Sequence, residues 1–415
     1  MKIAIIGTGI SGLVAARELY QEHQLTIFEA ADRIGGHTHT IDVELEDGSY
    51  SIDTGFIVFN EDNYPNFSSI IRELGISTRN TTMSFSVRCD ESGLEYNGTS
   101  LNTIFAQRRN LLRPRFLRML LDVMKFHRKA PETLSSSDDI TVSDFVREQG
   151  FGKAFYEDYL LPLGSALWST SSSRFGAFPV RFVAEFMHNH HMLQAGGRPV
   201  WSVIEGGSSN YLDPISMPFK HCIRTRTPVQ AVRREADHVS IVAGDAEAED
   251  FDEVIFACHA DQALELLSDP SELEQRALSA FPYQANEVLV HTDTSVLPRN
   301  RRAWAGWNYR KLPGSESRAT VTYNMNMLQG IDAPETFCVS LNHDDLIDEK
   351  KVIRRLTYHH PVYNSRRSEA QGLHDELAGA NGTSYCGAYW GYGFHEDGVN
   401  SALAVCRKLR EETSL

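Results

Sequence analysis

The sequence predicts an α/β fold in which a domain built on a parallel sheet is interrupted by a second, α+β domain. A strand, a glycine-rich turn, a helix and a strand open the chain, the middle (about 100–200) is mostly helical and aromatic, and strands return over 222–261. This alternation favours one interrupted domain over two consecutive ones. The expected segments are 1–75, 202–265 and 376–415 for the first domain, and 76–201 and 266–375 for the second.

The individual elements follow from hydrophobic periodicity and turn residues. Lys2–Ile6 and Leu25–Phe28 are short apolar strands, and Ser11–Glu22 between them has the apolar spacing of a helix. Residues 38–53 indicate a hairpin with Asp47-Gly48 at its turn. The later elements are a hairpin turn near Gly244-Asp245, strands at Val254–Cys258, Glu287–Thr292, Thr320–Tyr323 and Phe337–Leu341, and a helix over Val399–Leu409.

Composition and charge are those of an ordinary globular protein. The 415 residues are 41% hydrophobic and 23% charged, which excludes general disorder and a collagen-like structure. A net charge of −15 argues against a nucleic-acid partner. The six cysteines form neither a C-x-x-C pair nor a zinc-like cluster, so we expect no metal and a reducing compartment. No apolar run reaches the roughly 18 residues of a membrane span, and the expected location is the cytoplasm.

The first turn predicts a dinucleotide site. Residues 7–12 fit G-x-G-x-x-G, follow a strand, open a helix and precede an acid, Glu29, at the end of the next strand. Gly7 permits the tight turn, Gly9 lets the backbone approach a diphosphate, and Gly12 allows the helix and the strand to touch. Without that setting the motif alone would be a weak signal.

The residues around the motif define what it would bind. The helix that opens at Ile10 and Ser11 directs its free N–H groups and its positive end toward phosphates. Glu29 would accept hydrogen bonds from the hydroxyls of the adenosine ribose. Because an acid at this position disfavours a 2′-phosphate, NADP is not expected. The alternative is a glycine-rich turn that binds nothing.

Two further segments carry a resemblance to a known family. Arg33-Ile34-Gly35-Gly36-His37 follows Glu29, and Asp53-Thr54-Gly55-Phe56 ends the hairpin. With the glycine motif they resemble the superfamily of flavin-containing amine oxidases, protoporphyrinogen oxidases and phytoene desaturases. The resemblance implies FAD as the cofactor, in a Rossmann-type FAD-binding domain of an amine-oxidase-like two-domain architecture. The cofactor-binding residues that it implies in these segments are Arg33, Gly35, Gly36, His37, Thr54 and Gly55.

Later segments match the motif order of the family. The strand that holds Val229 resembles the one whose backbone meets the adenine. Gly387, Gly398 and Val399 resemble the segment whose helix is directed at the flavin ring, where a positive helix end stabilises the reduced anionic flavin. An enzyme that binds only NAD does not need this C-terminal segment, so its presence favours FAD as the cofactor.

Two positions depart from the family pattern. Ala388 stands where the family usually has an acid, and His37 stands where it often has an arginine. The combination of Gly-Gly-His-Thr-His-Thr with Gly-Phe-His-Glu-Asp-Gly resembles a bacterial branch of predicted NAD/FAD-binding proteins. Relatives in that branch often accompany cyclopropane-fatty-acid-synthase-type methyltransferases, which implies lipid chemistry by association.

The catalytic candidates lie on one strand and one loop. The strand that carries a lysine in amine oxidases of the family corresponds to Tyr283–Thr292, which has no lysine and offers Asn286 or Glu287 instead. The missing lysine makes amine oxidation a less favoured prediction. The alternative for Glu287 is a solvent-exposed strand residue without a catalytic role. Five aromatic residues within 385–394 either pack a core or wall off a dry flavin cavity. The aromatic candidates at the substrate are Tyr392 and, foremost, Phe394.

Residues 108–129 reverse the acidic character of the chain, with eight basic residues and one acid. Polar residues at 115, 118, 122, 125 and 129 form a narrow helical stripe beside a wide apolar face. The helix either packs inside the substrate domain or rests on anionic lipid at the inner face of the membrane.

His188-Asn189-His190-His191 does not present its histidines on one helical face, so it indicates a pocket contact or a surface loop rather than a metal site.

These observations indicate an FAD-dependent oxidoreductase. We expect hydride transfer to the flavin from a small apolar substrate, through C–H oxidation or desaturation of a fatty-acyl or isoprenoid-like chain. The alternatives are a flavin amine oxidase, a flavin-dependent isomerase without net redox change, and a non-catalytic lipid carrier of the same fold. The intact glycine motif and Glu29 argue against the carrier, and the oligomeric state stays open.

Overall fold

Two large sheets organise the chain. The computed structural model describes residues 1–135, 140–168, 172–194, 197, 199–314, 320–364 and 366–413. The strands are β1 Lys2–Ile6, β2 Gln24–Phe28, β3 Thr40–Leu45, β4 Gly48–Asp53, β5 Thr78–Thr81, β6 Phe85–Cys89, β7 Leu94–Asn97, β8 Trp201–Ile204, β9 Ile223–Arg224, β10 Val229–Arg234, β11 Val239–Ala243, β12 Glu249–Phe251, β13 Glu253–Phe256, β14 Tyr283–His291, β15 Trp307–Lys311, β16 Val321–Asn324, β17 Cys338–Leu341, β18 Val352–Pro361 and β19 Thr383–Tyr385.

Helices cover the sheets and dominate the middle of the chain. A π-helical turn, Tyr156–Leu160, joins two of them. In the described part of the chain, none combines the length and the apolar character needed to cross a membrane. The α-helices are α1 Ile10–Leu19, α2 Pro65–Glu73, α3 Leu101–Ile104, α4 Pro114–Lys129, α5 Val142–Glu148, α6 Lys153–Phe155, α7 Leu161–Trp168, α8 Ser172–Gly176, α9 Val180–Asn189, α10 Leu212–Ser216, α11 Ala260–Leu266, α12 Glu272–Leu278, α13 Met325–Gln329, α14 Arg367–Gln371, α15 His374–Leu377 and α16 His395–Thr413.

The first sheet is parallel and has the strand order β19-β13-β1-β2-β9. Its central strand is apolar on both faces, as expected of a parallel strand covered by helices, and Ile3, Ala4 and Ile5 have no exposed surface. Ile5 lies beside Ile27 of β2 and Ile255 of β13. This register brings the carboxyl ends of β1 and β2 to the same edge, where ligands bind in open α/β sheets.

The second sheet has the order β18-β14-β17-β16-β15-β6-β7. Its neighbours are antiparallel except β15 and β6, which run parallel. The first sheet takes its strands from the three segments expected for the FAD-binding domain, and the second sheet from the two others. The predicted α/β fold class is confirmed, and the exact domain boundaries stay a prediction.

Several element boundaries differ from the sequence expectation: the first helix ends at Leu19 rather than at residue 22, and β14 begins at Tyr283 rather than at residue 287. The hairpin turn is Glu46-Asp47, because Leu45 still pairs with Gly48. The strand expected at Val254–Cys258 ends at Phe256, which leaves Cys258 at the cavity described below. The last helix begins at His395 rather than at residue 399, and the Asp397 carboxylate accepts the Phe394 N–H over 2.8 Å at its start. Gly398 and Val399 therefore lie in the first turn of α16.

Candidate active site

One elongated cavity of about 1350 Å³ joins the edge of the parallel sheet to the second sheet. Its first end is lined by the glycine turn and Glu29, and its other end by side chains of α4, α7, β15 and β16. A pocket for one small ligand measures roughly 300–1,000 Å³. The cavity therefore has room for an extended cofactor together with a substrate.

The glycine turn shapes the first end. Gly7 has φ +107° and donates its N–H to the last carbonyl of β2 over 2.8 Å. A Cβ on Gly12 would lie 2.0 Å from the Gly7 oxygen, so only glycine lets α1 pack this closely on the turn. A Cβ on Gly9 would meet no atom within 4 Å, because Gly9 faces the open cavity. Ile10 and Ser11 line it too, so the first turn of α1, whose N–H groups have no partner within the helix, borders the cavity.

Glu29 is fixed at the edge of this end. Its carboxylate accepts the Thr8 N–H over 3.0 Å, the Thr8 hydroxyl and the Ala31 N–H over 2.9 Å. Val229, the first residue of β10, lines the cavity nearby. Since an ionised carboxylate has about four acceptor positions, Glu29 can also accept hydrogen bonds from a ligand hydroxyl.

The second glycine segment packs against the first turn. Gly35 donates its N–H to the Thr8 carbonyl over 3.0 Å, and a Cβ on Gly36 would lie 3.0 Å from the Gly9 Cα. Arg33 points back into its own loop and donates to the Gly36 carbonyl over 2.8 Å. Gly35 and Gly36 thus border the cavity, whereas Arg33 stabilises the loop behind it.

His37 lines the cavity with a buried Nε2 atom that has no hydrogen-bond partner. Burial lowers the pKa of His37 to about 4, so the ring is neutral near pH 7. A Cβ on Gly55 would lie 2.0 Å from the His37 oxygen, which makes glycine necessary where the hairpin ends. Thr54 does not line the cavity, and its hydroxyl is hydrogen-bonded to the His39 carbonyl over 2.9 Å and to the Tyr358 hydroxyl over 2.6 Å.

The N-terminal end of α16 reaches the cavity beside α1. His395 lines it, stacks on Phe56 with ring centroids 3.8 Å apart, and places Nε2 2.9 Å from the Tyr211 hydroxyl. A Cβ on Gly398 would lie 2.8 Å from a side chain of the first turn of α1, so glycine allows the two helices to touch. Val399 is fully buried in the core and does not line the cavity. Two positive helix ends therefore converge on the cavity.

The aromatic loop before α16 divides between cavity and core. Gly387 and Phe394 line the cavity, and Phe394 stacks on Phe186 with centroids 5.1 Å apart. Tyr392 lies outside the lining, where its carbonyl accepts the Tyr363 hydroxyl. The structure thus brings Phe394 to the cavity and leaves Tyr392 in the packing behind it.

The structure does not bring Glu287 to the cavity. This carboxylate forms an ion pair with Arg355 over 2.8 Å on the outer side of β14. Because side chains alternate along a strand, the neighbouring Asn286 points inward and donates from Nδ2 to His360 Nδ1 over 2.8 Å. His360, rather than either strand candidate, lines the cavity.

Sequence analysis missed a cluster of histidines. The ring of His37 lies 5.9 Å from that of His259 and 5.7 Å from that of His360, and His259 stacks on Tyr283 at 4.1 Å. Burial lowers the pKa of His259 and of His360 to about 3, so both rings are neutral at pH 7. The adjacent pair His359-His360 in a strand was the one sequence signal for this cluster.

The far end of the cavity is mostly apolar, and its polar lining residues carry no carboxylate: Ser84, Thr99, Ser100, His127 and Tyr159. Among the described lining residues, the only charged ones are Glu29 and Glu265, and both lie on the dinucleotide side. The walls of the far end include Phe85, Met119, Leu120, Val123, Leu163, Ala166, Trp307 and Tyr323.

The histidines at 188–191 divide between two surfaces. His190 lines the cavity, where its ring stacks on Phe186 at 3.9 Å and Nδ1 lies 2.9 Å from the Phe186 carbonyl. His188 lines a separate surface pocket, and His191 borders both. Over the described ranges, no three His, Cys, Asp or Glu side chains are arranged to hold a metal ion.

The residues present fit FAD. The open space at Gly9 and the first turn of α1 suit a diphosphate, and the unpartnered Nε2 of His37 lies where the related family has an arginine and can donate to a phosphate when that nitrogen carries the ring proton. The carboxylate of Glu29 suits a ribose, and the cavity continues past His395 for the flavin ring.

Comparisons with known proteins agree with this geometry. A family profile described as flavin-containing amine oxidoreductase matches residues 10–329. The fold is similar to that of a candidate protoporphyrinogen oxidase from Exiguobacterium (TM-score 0.70, 17% identity, 99% of each chain). It is also similar to cyclohexylamine oxidase from Brevibacterium oxydans (TM-score 0.70, 14% identity, 99% of each chain). A third similar structure is a conjugated-linoleic-acid-producing fatty acid isomerase from P. acnes (TM-score 0.67, 17% identity, 98% of each chain).

Proposed function

The chain belongs to the family of flavin-containing amine oxidoreductases and is an FAD-dependent oxidoreductase, and we propose that it removes hydride from an elongated apolar substrate. The substrate class that we propose is a fatty-acyl or isoprenoid-like chain. The proposed reaction is C–H oxidation or desaturation, in which the substrate loses two hydrogens, one as a hydride to the flavin and one as a proton to solvent.

The uncharged far end of the cavity carries this proposal. An aliphatic amine is a cation at pH 7, and burying that charge without a carboxylate is costly. The only carboxylates in the described lining, Glu29 and Glu265, stand on the dinucleotide side. An apolar chain instead gains about 0.8 kcal/mol for each buried CH₂ group. The far end therefore favours a neutral hydrocarbon chain over an amine.

The protein itself would position the substrate and exclude water from the cavity. When bound, FAD supplies the two-electron acceptor, so no side-chain nucleophile is required. Phe394 stacks on Phe186 and Phe56 stacks on His395, and these rings line the cavity, where they would exclude water from a bound substrate. The neutral rings of His37 and His360 line the same cavity.

A double-bond isomerisation is the second candidate. One protein of similar fold is described as a fatty acid isomerase, and a long uncharged compartment suits such a substrate equally well. Isomerisation leaves the substrate mass unchanged, whereas desaturation removes two hydrogens. The two reactions are therefore separable by one measurement.

Anaerobic mixing of the holoprotein with long-chain fatty acids, fatty-acyl thioesters, isoprenoids and aliphatic amines tests the proposal. We expect an apolar chain to bleach the oxidised flavin and to yield a product two hydrogens lighter by mass spectrometry. Bleaching by amines alone would make the protein an amine oxidase. A product of unchanged mass without net bleaching would make it an isomerase, and a protein that takes up no flavin would make it a carrier.

A further inference from the structure

Exposed apolar side chains are concentrated in one stretch of the chain. Of the eleven large apolar side chains that are exposed among the described residues, six lie between 101 and 124. We call these six the docking face: Leu101, Leu111, Leu112, Leu117, Leu121 and Met124.

Helix α4 is apolar on two sides. Its inner side, with Phe116 and Phe126, is buried in the core of the substrate side. Its outer side repeats apolar residues at i, i+4 and i+7, where Leu117 is 38%, Leu121 61% and Met124 58% exposed. A soluble amphipathic helix needs only one apolar side, so the outer one indicates a contact surface.

Unpaired positive charge surrounds the docking face. Arg115 forms an ion pair with Asp158 at 3.0 Å, so it does not count among the unpaired charges. In the part of the chain that the structure describes, Arg113, Arg118 and Arg128 have no acidic partner within 4.0 Å. In a chain with a net charge of −15, this region is a local exception.

The docking face borders the cavity. Leu101 and Met124 belong to the docking face and line the cavity as well. Leu120, one helical turn before Met124, and its neighbour Val123 also line the cavity. A molecule that entered beside α4 would therefore pass directly into the apolar far end.

We propose that the docking face rests on the surface of an anionic lipid bilayer. The leucines and Met124 enter the boundary between headgroups and acyl chains, and Arg113, Arg118 and Arg128 contact lipid phosphates. An apolar substrate then moves from the bilayer into the cavity without crossing water. The inference rests on the proposed function, because it names the bilayer as the partner that holds the substrate.

Co-sedimentation of the full-length holoprotein with vesicles tests the charged part of the surface. We expect binding to phosphatidylglycerol vesicles, weaker binding to phosphatidylcholine vesicles, and loss of binding at high salt. The double variant R118Q/R128Q should bind anionic vesicles about twenty-five-fold less, since each basic residue near such a surface contributes roughly fivefold. R226Q, at an exposed arginine elsewhere, is the control that should leave binding unchanged.

A matched pair of variants tests the apolar part. Leu121 is 61% exposed in the docking face and Met217 is 62% exposed elsewhere. We expect L121E to lose vesicle binding by tenfold or more and M217E to keep it, with flavin content and thermal unfolding unchanged in both. Equal binding of L121E and M217E, or of R118Q/R128Q and the native chain, would overturn the docking proposal. A shift of L121E from dimer to monomer would instead assign the face to a second copy of the chain.

The docking proposal and the proposed function fail separately. Vesicle binding needs no turnover, so binding without flavin bleaching by any apolar chain would refute the proposed function alone. Bleaching by a detergent-solubilised chain without vesicle binding would refute the docking proposal alone.

Discussion

Replacing Gly9 by valine tests the dinucleotide end of the cavity without disturbing the fold. Gly9 has φ −62° and ψ 176°, a conformation that valine adopts, and a Cβ there meets no protein atom within 4 Å. The cost to folding is that of a poor helix N-cap, about 1 kcal/mol. The valine methyl groups instead project into the space where diphosphate oxygens would approach the first turn of α1.

The expected loss of FAD affinity follows from the hydrogen bonds that valine prevents. A hydrogen bond to a charged group is worth about 1.5–3 kcal/mol. Losing two of them weakens binding by about 3–6 kcal/mol, which is roughly 10²–10⁴-fold in Kd. We therefore expect G9V to purify colourless and to unfold at nearly the native temperature.

Titration of the apoprotein with FAD, followed by flavin fluorescence, measures this loss. Gly12→Ala is the contrasting variant, because its Cβ would lie 2.0 Å from a backbone oxygen that cannot give way. G12A should lose about 3 kcal/mol or more of folding stability. Native FAD affinity in a folded G9V would refute the assignment of the diphosphate to this turn.

Three further predictions concern other parts of the cavity. His37→Ala should weaken FAD binding about tenfold, and His37→Arg should restore it, as read by the same titration; equal affinities would deny His37 a phosphate contact. Burial lowers the pKa of His395 to about 3 from 6.5, so its contribution to stability is complete above pH 6.5 and is lost as the pH falls toward 3. Urea unfolding of the apoprotein measures how far the free energy of unfolding decreases from pH 7 to pH 5. This decrease should be about 2 kcal/mol smaller in His395→Gln than in the native chain. An identical or larger decrease in the variant would contradict the prediction. Val123→Trp should raise KM for long chains more than for short ones by narrowing the apolar end, whereas equal effects would place the substrate elsewhere.

Local sequence patterns were sufficient to predict the dinucleotide end. The roles of Gly7, Gly9 and Gly12 depend on neighbours within one strand–turn–helix unit, so their spacing alone indicates the geometry. Short apolar runs also placed β1, β2 and β13 of the parallel sheet, whereas the two edge strands β9 and β19 were not predicted individually. The family profile and the similar folds confirm the fold class and FAD, while the individual site residues stay predictions.

Contacts between distant segments could not be read from the sequence. His37, His259 and His360 come together from three separate segments, and no local pattern links them. Glu287 is in register with Thr357 of β18, but the Arg355 that binds its side chain is known only once that pairing exists. The late start predicted for α16 overlooked Asp397, whose capping contact with Phe394 extends the helix backward.

The basic segment shows a similar limit. The sequence showed its excess of basic residues and the wide apolar face of its helix. It did not show which of its arginines form ion pairs within the folded chain. Arg115 pairs with Asp158 in the folded chain, whereas Arg118 and Arg128 stay on the outer side. The inward packing of α4 agrees with the first interpretation of that segment, whereas contact with lipid through its exposed apolar residues stays a prediction.

A crystal structure of the holoprotein tests the central claim most directly. We expect the FAD diphosphate within hydrogen-bond distance of the first-turn N–H groups of α1, the ribose on Glu29, and the flavin ring between His395 and the apolar end. Flavin bound elsewhere, or protein side chains filling the space beside Gly9, would contradict it.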